Sequence, residues 1–369
     1  MTTAFDPISV GSMTLPNRIA MAPLTRRRAY GEGLSATALT AEYYVQRSTA
    51  GLIVAEAMQP SRVGQGYTDT PGLHDERQVR SWRPVTDAVH TAGGRIYAQL
   101  MHAGRNSHPQ LLGDGLHPVA PSPVAAEGVV RVSGAEPAVR EPYPVPHELS
   151  VTEIQETIED FAQAAHNAIR AGFDGVELHG AYGYLIQQFL SDNANRRTDR
   201  YGGSITGRIR FVLELVDAVA ARIGPQRLAL RISPGCPAFG LTETDVDDLY
   251  AALVSELRGD LAYLHILEFP GHRALTNRLR NAWPSAFMLN PHETPDSWPS
   301  GPDDLHLIED GLADILAFGT LYISNPDLVA RLRNGSAVAP ADHTTFYRGD
   351  HRGYTDYPAL AEAGAHTTP

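Results

Sequence analysis

A (β/α)8 TIM barrel is the fold this sequence predicts, with an N-terminal hairpin plug and a long excursion after the third strand. Three observations predict it. Eight short apolar runs recur along the 369 residues. Helical patterns lie between them. Most of the runs are continuous rather than alternating, as strands buried on both faces should be. Strand–helix alternation implies a parallel sheet, and eight rounds of it imply closure into a barrel. An open doubly wound sheet is the competing arrangement, but no G-x-G-x-x-G turn follows the first run.

In chain order, Thr3–Pro16 comes first, with Gly11 at a hairpin turn, and reads as a plug on the barrel floor. The strands are predicted at Arg18–Ala22, Leu52–Ala57, Arg95–Leu100, Gly175–His179, Leu228–Ile232, Leu261–Leu267, Ala286–Leu289 and Asp314–Phe318. Helices are predicted at Asp75–Thr91, Thr152–Ala171, Thr206–Arg222, Thr242–Arg258 and Asp327–Arg333. The second of these is the clearest. Ile154, Ile158, Phe161, Ala165 and Ile169 share one face, Thr152 stands as its cap, and Gly172 lies just past its end. His102–Ser150 breaks the rhythm and is rich in proline, from Pro118 to Pro146. A loop this long in a compact barrel is usually functional. It leaves the carboxyl end of a strand, where barrel active sites lie, so residues 102–150 are expected to form a lid over that face. Residues 1–369 read as one domain.

Composition narrows the partners. The hydrophobic fraction is 43% and the net charge is −12. An acidic surface argues against nucleic acid or an anionic membrane as the main partner. No run approaches the roughly 20 apolar residues of a membrane span, and Met1–Val10 lacks the pattern of a signal peptide. Cys236 is the only cysteine, so no internal disulfide can form and a cytoplasmic setting is expected.

Barrel chemistry needs polar groups where strands end. Those positions hold Thr25, Gln99, His102, His179, Tyr182, Tyr184, Arg231, Glu268, Asn290 and Thr320. His102 and His179 lack an obvious third ligand and there is no H-E-x-x-H, so no metal is expected. No G-x-S-x-G is present, and Cys236 reads as a loop filler rather than a nucleophile. What remains is a set of uncharged donors with one arginine, suited to a planar heteroaromatic cofactor or a carbonyl substrate. Arg231 reads equally well as half of a structural ion pair, and Gln99 as the partner of a backbone group.

Several longer motifs carry a resemblance. They are Asn17-Arg18-Ile19-Ala20-Met21-Ala22-Pro23-Leu24-Thr25-Arg26, Gly64-Gln65-Gly66-Tyr67, Gln99-Leu100-Met101-His102-Ala103-Gly104-Arg105 and His179-Gly180-Ala181-Tyr182-Gly183-Tyr184-Leu185. Gln188-Phe189-Leu190, Arg197-Thr198-Asp199-Arg200-Tyr201-Gly202-Gly203-Ser204, Ser324-Asn325-Pro326-Asp327-Leu328 and Gly353-Tyr354-Thr355-Asp356-Tyr357-Pro358 follow in the same order. Over nearly its whole length the chain resembles the old yellow enzymes, FMN-dependent, NAD(P)H-driven reductases of activated alkenes.

The resemblance implies a role for each matched residue. Pro23, Leu24, Thr25 and Ala57 would line the isoalloxazine, and Gln99 would bond its pyrimidine ring. Arg231 would stabilise the reduced flavin, where negative charge gathers. Gly319 and Thr320 would lie at the phosphate. His179 would hold the carbonyl oxygen of an α,β-unsaturated substrate, and Tyr184 would deliver the proton to its α-carbon.

Three departures stand out. Tyr182 occupies the place of the family's second His or Asn, and Met101 the place of a Trp. At the phosphate subsite, the turn after the seventh strand is Asn290-Pro291-His292-Glu293-Thr294 instead of a glycine-rich turn, and Thr320 replaces an arginine. Proline has no N–H to donate, and a lost guanidinium removes the strongest anion contact. Because the ring-binding residues Thr25, Gln99 and Arg231 all remain, one reading has His292, Thr320 and loop N–H groups form a substitute phosphate site; the alternative is a flavin-free barrel that uses His179, Tyr182 and Tyr184 for a redox-neutral isomerisation or cyclisation. A non-enzymatic binding protein is also conceivable on fold grounds, but retention of His179, Tyr184 and Arg231 weighs against it.

Overall fold

The computed structural model describes residues 2–133, 137–297 and 299–360. Eight parallel strands form a closed barrel: β1 (Ile19–Met21), β2 (Leu52–Met58), β3 (Ile96–Leu100), β4 (Gly175–Gly180), β5 (Leu228–Ile232), β6 (Tyr263–Leu267), β7 (Ala286–Asn290) and β8 (Ile315–Phe318). Each pairs with the next, and β8 pairs with β1 to close the ring. All eight lie where the apolar runs predict them. The outer ring comprises α1 (Ala38–Val45), α2 (Glu76–Thr91), α3 (Val151–Arg170), α4 (Ile205–Ile223), α5 (Val246–Glu256), α6 (Arg273–Ala282), α7 (His306–Glu309) and α8 (Leu328–Asn334). Among the described residues no helix is long and apolar enough to cross a membrane.

Two predicted helix starts need correction. Ser150, not Thr152, caps α3: its hydroxyl accepts from the Glu153 amide (3.2 Å) while its own amide donates to the Glu153 carboxylate (2.7 Å). The His147 ring also bonds Glu153 at 2.9 Å, which anchors the turn two residues earlier than Thr152 would. Helix α5 begins at Val246 rather than Thr242. Asn193 receives the Thr242 amide and Asp192 the Thr244 hydroxyl, while Glu243 turns inward to Gln187 and Tyr250. Those bonds commit the segment to a loop before the helix starts.

The N-terminal plug is present as an antiparallel hairpin, Ile8–Val10 with Met13–Leu15. Gly11 makes its turn at φ +55°, and a Cβ there would lie 2.0 Å from the Gln226 carbonyl just below β5. Only glycine tolerates both the conformation and the contact. Val10 and Leu15 close the lower barrel against Ala20, Val54, Tyr97, Ala229, Tyr263 and Met288.

Side chains alternate along each strand with period two. Above the apolar floor comes a polar layer containing Gln99, Glu177 and His265, and above that His179, Arg231 and Asn290. Strand register sets Gln99 beside Glu177 and His179 beside Arg231.

The excursion at 102–150 leaves β3 on the carboxyl side, with its residues 134–136 outside the described set. It contains a hairpin, Val129–Arg131 with Arg140–Pro142, and a short parallel pair, Val119–Ala120 with His147–Glu148. Arg105 ties it to the loop after β5 by donating to the carbonyls of Val124, Ala125 and Phe239 at 3.2–3.3 Å. Tyr143 stands edge-on to Phe239 at 6.0 Å.

Candidate active site

A cavity of about 510 Å³ opens at the carboxyl ends of the strands. That is within the range of small-molecule and cofactor sites. Pro23, Leu24 and Thr25, just past β1, form one wall. His179, Tyr182 and Tyr184 enter from the end of β4, Arg231 from β5, and Gly319 and Thr320 from the end of β8. The predicted residues Ala57 and Gln99 do not reach this wall. Ala57 packs in a small cluster with Met101, Ala103 and Tyr184. Gln99 is buried one layer down, donating its amide to Glu177 at 2.8 Å. His102 turns away altogether. Its Nδ1 accepts from the Gly104 amide, its ring lies over Phe161, and burial pushes its pKa down to about 3.

His179 and Tyr184 face each other with ring centroids 5.1 Å apart. Burial, reinforced by the Arg231 charge, holds the His179 imidazole well below its ordinary pKa, so it is neutral at pH 7. Burial, with Tyr67 beside it, holds the Tyr184 phenol well above its ordinary value, so it keeps its proton. The Tyr184 and Tyr67 hydroxyls are 2.7 Å apart. Arg231 donates to Asn290 Oδ1 at 3.2 Å, and Asn290 in turn donates to Ser300 and to the Ala317 carbonyl. Burial lowers the guanidinium's pKa, with Glu177 acting in the opposite sense.

Tyr182 behaves differently from its neighbours. It sits at φ +56°, in the left-handed region, and its ring is 40% exposed at the mouth, 6.4 Å from Phe269. It lines the cavity without closing on His179. Cys236 is buried, and burial pushes its thiol up to about 11, so it is no nucleophile at neutral pH.

Several wall residues have no role assigned from the sequence, among them Tyr67, Ser300, Phe346 and Tyr347. Tyr67 ends the Gly64-Gln65-Gly66-Tyr67 motif, which was visible but had no assigned role. Phe346 and Tyr347 arrive from the C-terminal segment. Arg26 pins that segment through the carbonyls of Phe346 (2.9 Å) and Gly353 (2.8 Å), and Tyr354 stacks on Tyr43 at 4.1 Å.

Such a site, with neutral donors and the Arg231 guanidinium around a cleft in a parallel barrel, suits a barrel enzyme that holds a flat cofactor beside a carbonyl substrate. Comparison with known proteins specifies the class further. Residues 3–338 match the NADH:flavin oxidoreductase / NADH oxidase family. The chain is 38% identical to 12-oxophytodienoate reductase 7 of Oryza sativa subsp. japonica, over 97% of this chain and 95% of that one. It is 39% identical to a probable flavin mononucleotide-dependent alkene reductase of Leishmania infantum, over 96% of each. A structure of morphinone reductase in complex with tetrahydroNAD superposes with TM-score 0.90 and 41% identity, covering 100% of both chains. The chain belongs to the NADH:flavin oxidoreductase / NADH oxidase family, the old yellow enzymes. It is an FMN-dependent, NAD(P)H-driven oxidoreductase of activated C=C bonds, and the flavin-free isomerase reading is not favoured.

The upper site fits the flavin ring. His179 Nδ1 and Arg231 Nε are buried at the cavity without a partner among the described residues. Unpartnered buried nitrogens are costly unless a ligand completes them.

Proposed function

We propose that the chain reduces α,β-unsaturated carbonyl compounds, with His179 as the carbonyl donor and Tyr184 as the proton donor. When bound there, FMN reduced by NAD(P)H would supply the hydride that the β-carbon takes up. Arg231 offers positive charge next to the ring, where charge accumulates on reduction. Pro23, Leu24 and Thr25 give that ring a flat flank. Neutral His179 donates to the substrate oxygen and draws electron density from the alkene. Tyr184 holds its proton on the phenol oxygen and releases it to the α-carbon, and a solvent proton then restores the Tyr184 phenol by way of the Tyr67 hydroxyl 2.7 Å away. Tyr182 at the mouth contacts the body of the substrate. The excursion at 102–150 acts at one remove by bracing Phe239, whose ring lies 6.0 Å from that of Tyr184.

The closeness of His179 to Tyr184, one neutral and one protonated at pH 7, carries this function most directly. The two half-reactions test it. Tyr184→Phe should slow flavin reoxidation by 2-cyclohexenone about 10²-fold or more, the scale of a positioned acid. Flavin reduction by NAD(P)H should change little, because it takes no proton from Tyr184. Equal losses in both halves would show that Tyr184 is structural.

A further inference from the structure

The cavity has a second end, away from Tyr184, walled by Thr320, Gly319, His292, Pro299 and Ser300. A flavin whose ring lies over Arg231 and beside Pro23 must send its side chain toward this end. The charges there are unusual for a site that receives a phosphate dianion.

Arg273 opens helix α6 beside the turn that carries His292. Its Nε and Nη2 grip both oxygens of buried Glu268 at 2.7 and 2.8 Å, and its Nη1 pairs with Glu293 at 2.9 Å. One cation thus serves two carboxylates, and the cluster is net negative. Glu268 also takes the His292 backbone amide at 3.0 Å. The His292 ring is neutral, with burial holding its pKa down to about 4. The Ser300 hydroxyl donates to the Pro291 carbonyl at 3.0 Å and accepts from Asn290 at 2.9 Å. The arginines of the wall are engaged elsewhere. Arg26 is bonded to Phe346 and Gly353 and Arg27 to the Thr68 carbonyl, while Arg231 bonds Asn290 and keeps its Nε for the ring. Thr320 contributes one neutral hydroxyl. Burying a dianion requires charge-assisted donors to offset its desolvation.

We propose that this chain recognises flavin by its ring and leaves the phosphate without a charged partner, so that riboflavin binds about as well as FMN. The proposal rests on flavin occupying this cavity, and one experiment separates the two claims. The full-length chain, stripped of flavin, is titrated with FMN and with riboflavin by fluorescence quenching at fixed ionic strength. Dissociation constants within about threefold of each other are expected. FMN tighter by about 100-fold, the value of one or two charge-assisted contacts, would overturn the proposal and leave the reductase function standing. Binding of neither would overturn both. Thr320→Arg supplies the missing cation. It should tighten FMN by about tenfold or more while leaving riboflavin unchanged. FMN affinity unmoved by that substitution would contradict the proposed cause.

Discussion

The hydroxyls of Tyr67 and Tyr184 lie 2.7 Å apart across the cavity wall. Tyr184 is buried and Tyr67 half-buried, and desolvation raises both pKa values. Each therefore stabilises the other as a donor–acceptor pair without ionising. Tyr67→Phe removes the partner and keeps the acid. It should slow flavin reoxidation by an enone about tenfold, less than loss of Tyr184 itself, since a positioned acid contributes about 10²–10⁴. Rapid mixing of reduced protein with 2-cyclohexenone measures this. A rate equal to wild type would show that Tyr67 is only a wall.

Tyr182 carries backbone strain in addition to its place at the mouth. A non-glycine side chain at φ +56° is disfavoured, and asparagine tolerates that region better than tyrosine. Tyr182→Asn should raise stability by about 0.5–1 kcal/mol. It also puts a short amide donor near His179, so the KM for a small enone should fall several-fold. Urea melts and steady-state kinetics check the two effects separately. A destabilised variant would mean that the contact with Phe269 outweighs the strain.

Glu177 is completely buried beneath the cavity. It accepts from Gln99 at 2.8 Å and Tyr263 at 3.1 Å and pairs with His265 Nδ1 at 2.8 Å. Removing a carboxylate from such a network strands three polar groups. Glu177→Ala should cost about 3–5 kcal/mol in denaturant unfolding, with Glu177→Gln costing clearly less. A loss below about 1 kcal/mol for the alanine variant would show that water repairs the gap.

His102 predicts a pH dependence. Burial lowers its folded pKa to about 3, against an ordinary histidine value of 6.5. The unfolded chain thus binds the proton first, and stability must fall as pH drops below 6.5 toward 3. Between pH 6.5 and 5 this one group removes about 2 kcal/mol. His102→Gln should lower stability at pH 7 but flatten that acid limb by about one proton. Unfolding free energies at several pH values measure the slope, and an unchanged slope would rule His102 out as its source.

The barrel was legible because its signal is local. Leu228–Ile232 is apolar apart from Arg231 and has the same bounds in sequence and structure. Helix α6 was not legible. Its buried residues are only Leu275, Thr276 and Leu279 in an otherwise polar stretch, too few to show a period. The cap of α3 was ambiguous because Ser150 and Thr152 both precede a Glu or Gln three residues on, and only the contact from His147 decides between them. In the site, His179, Tyr184 and Arg231 could be read from strand ends and motif. Phe346 and Tyr347 could not. They reach the cavity because Arg26 bonds carbonyls some 320 residues away in sequence, and no spacing rule encodes that contact.

The fate of a solvent proton tests the central claim most directly. The FMN-loaded protein is given unlabelled NAD(P)H and an α,β-unsaturated ketone in D2O, and the product is analysed by mass spectrometry and NMR. Tyr184 exchanges with solvent and the hydride does not. The saturated ketone should therefore carry one deuterium at the α-carbon, none at the β-carbon, and one nicotinamide should be oxidised per product. Deuterium entering unreduced substrate or a rearranged isomer, without nicotinamide oxidation, would contradict the account and show the barrel acting as a redox-neutral acid–base catalyst.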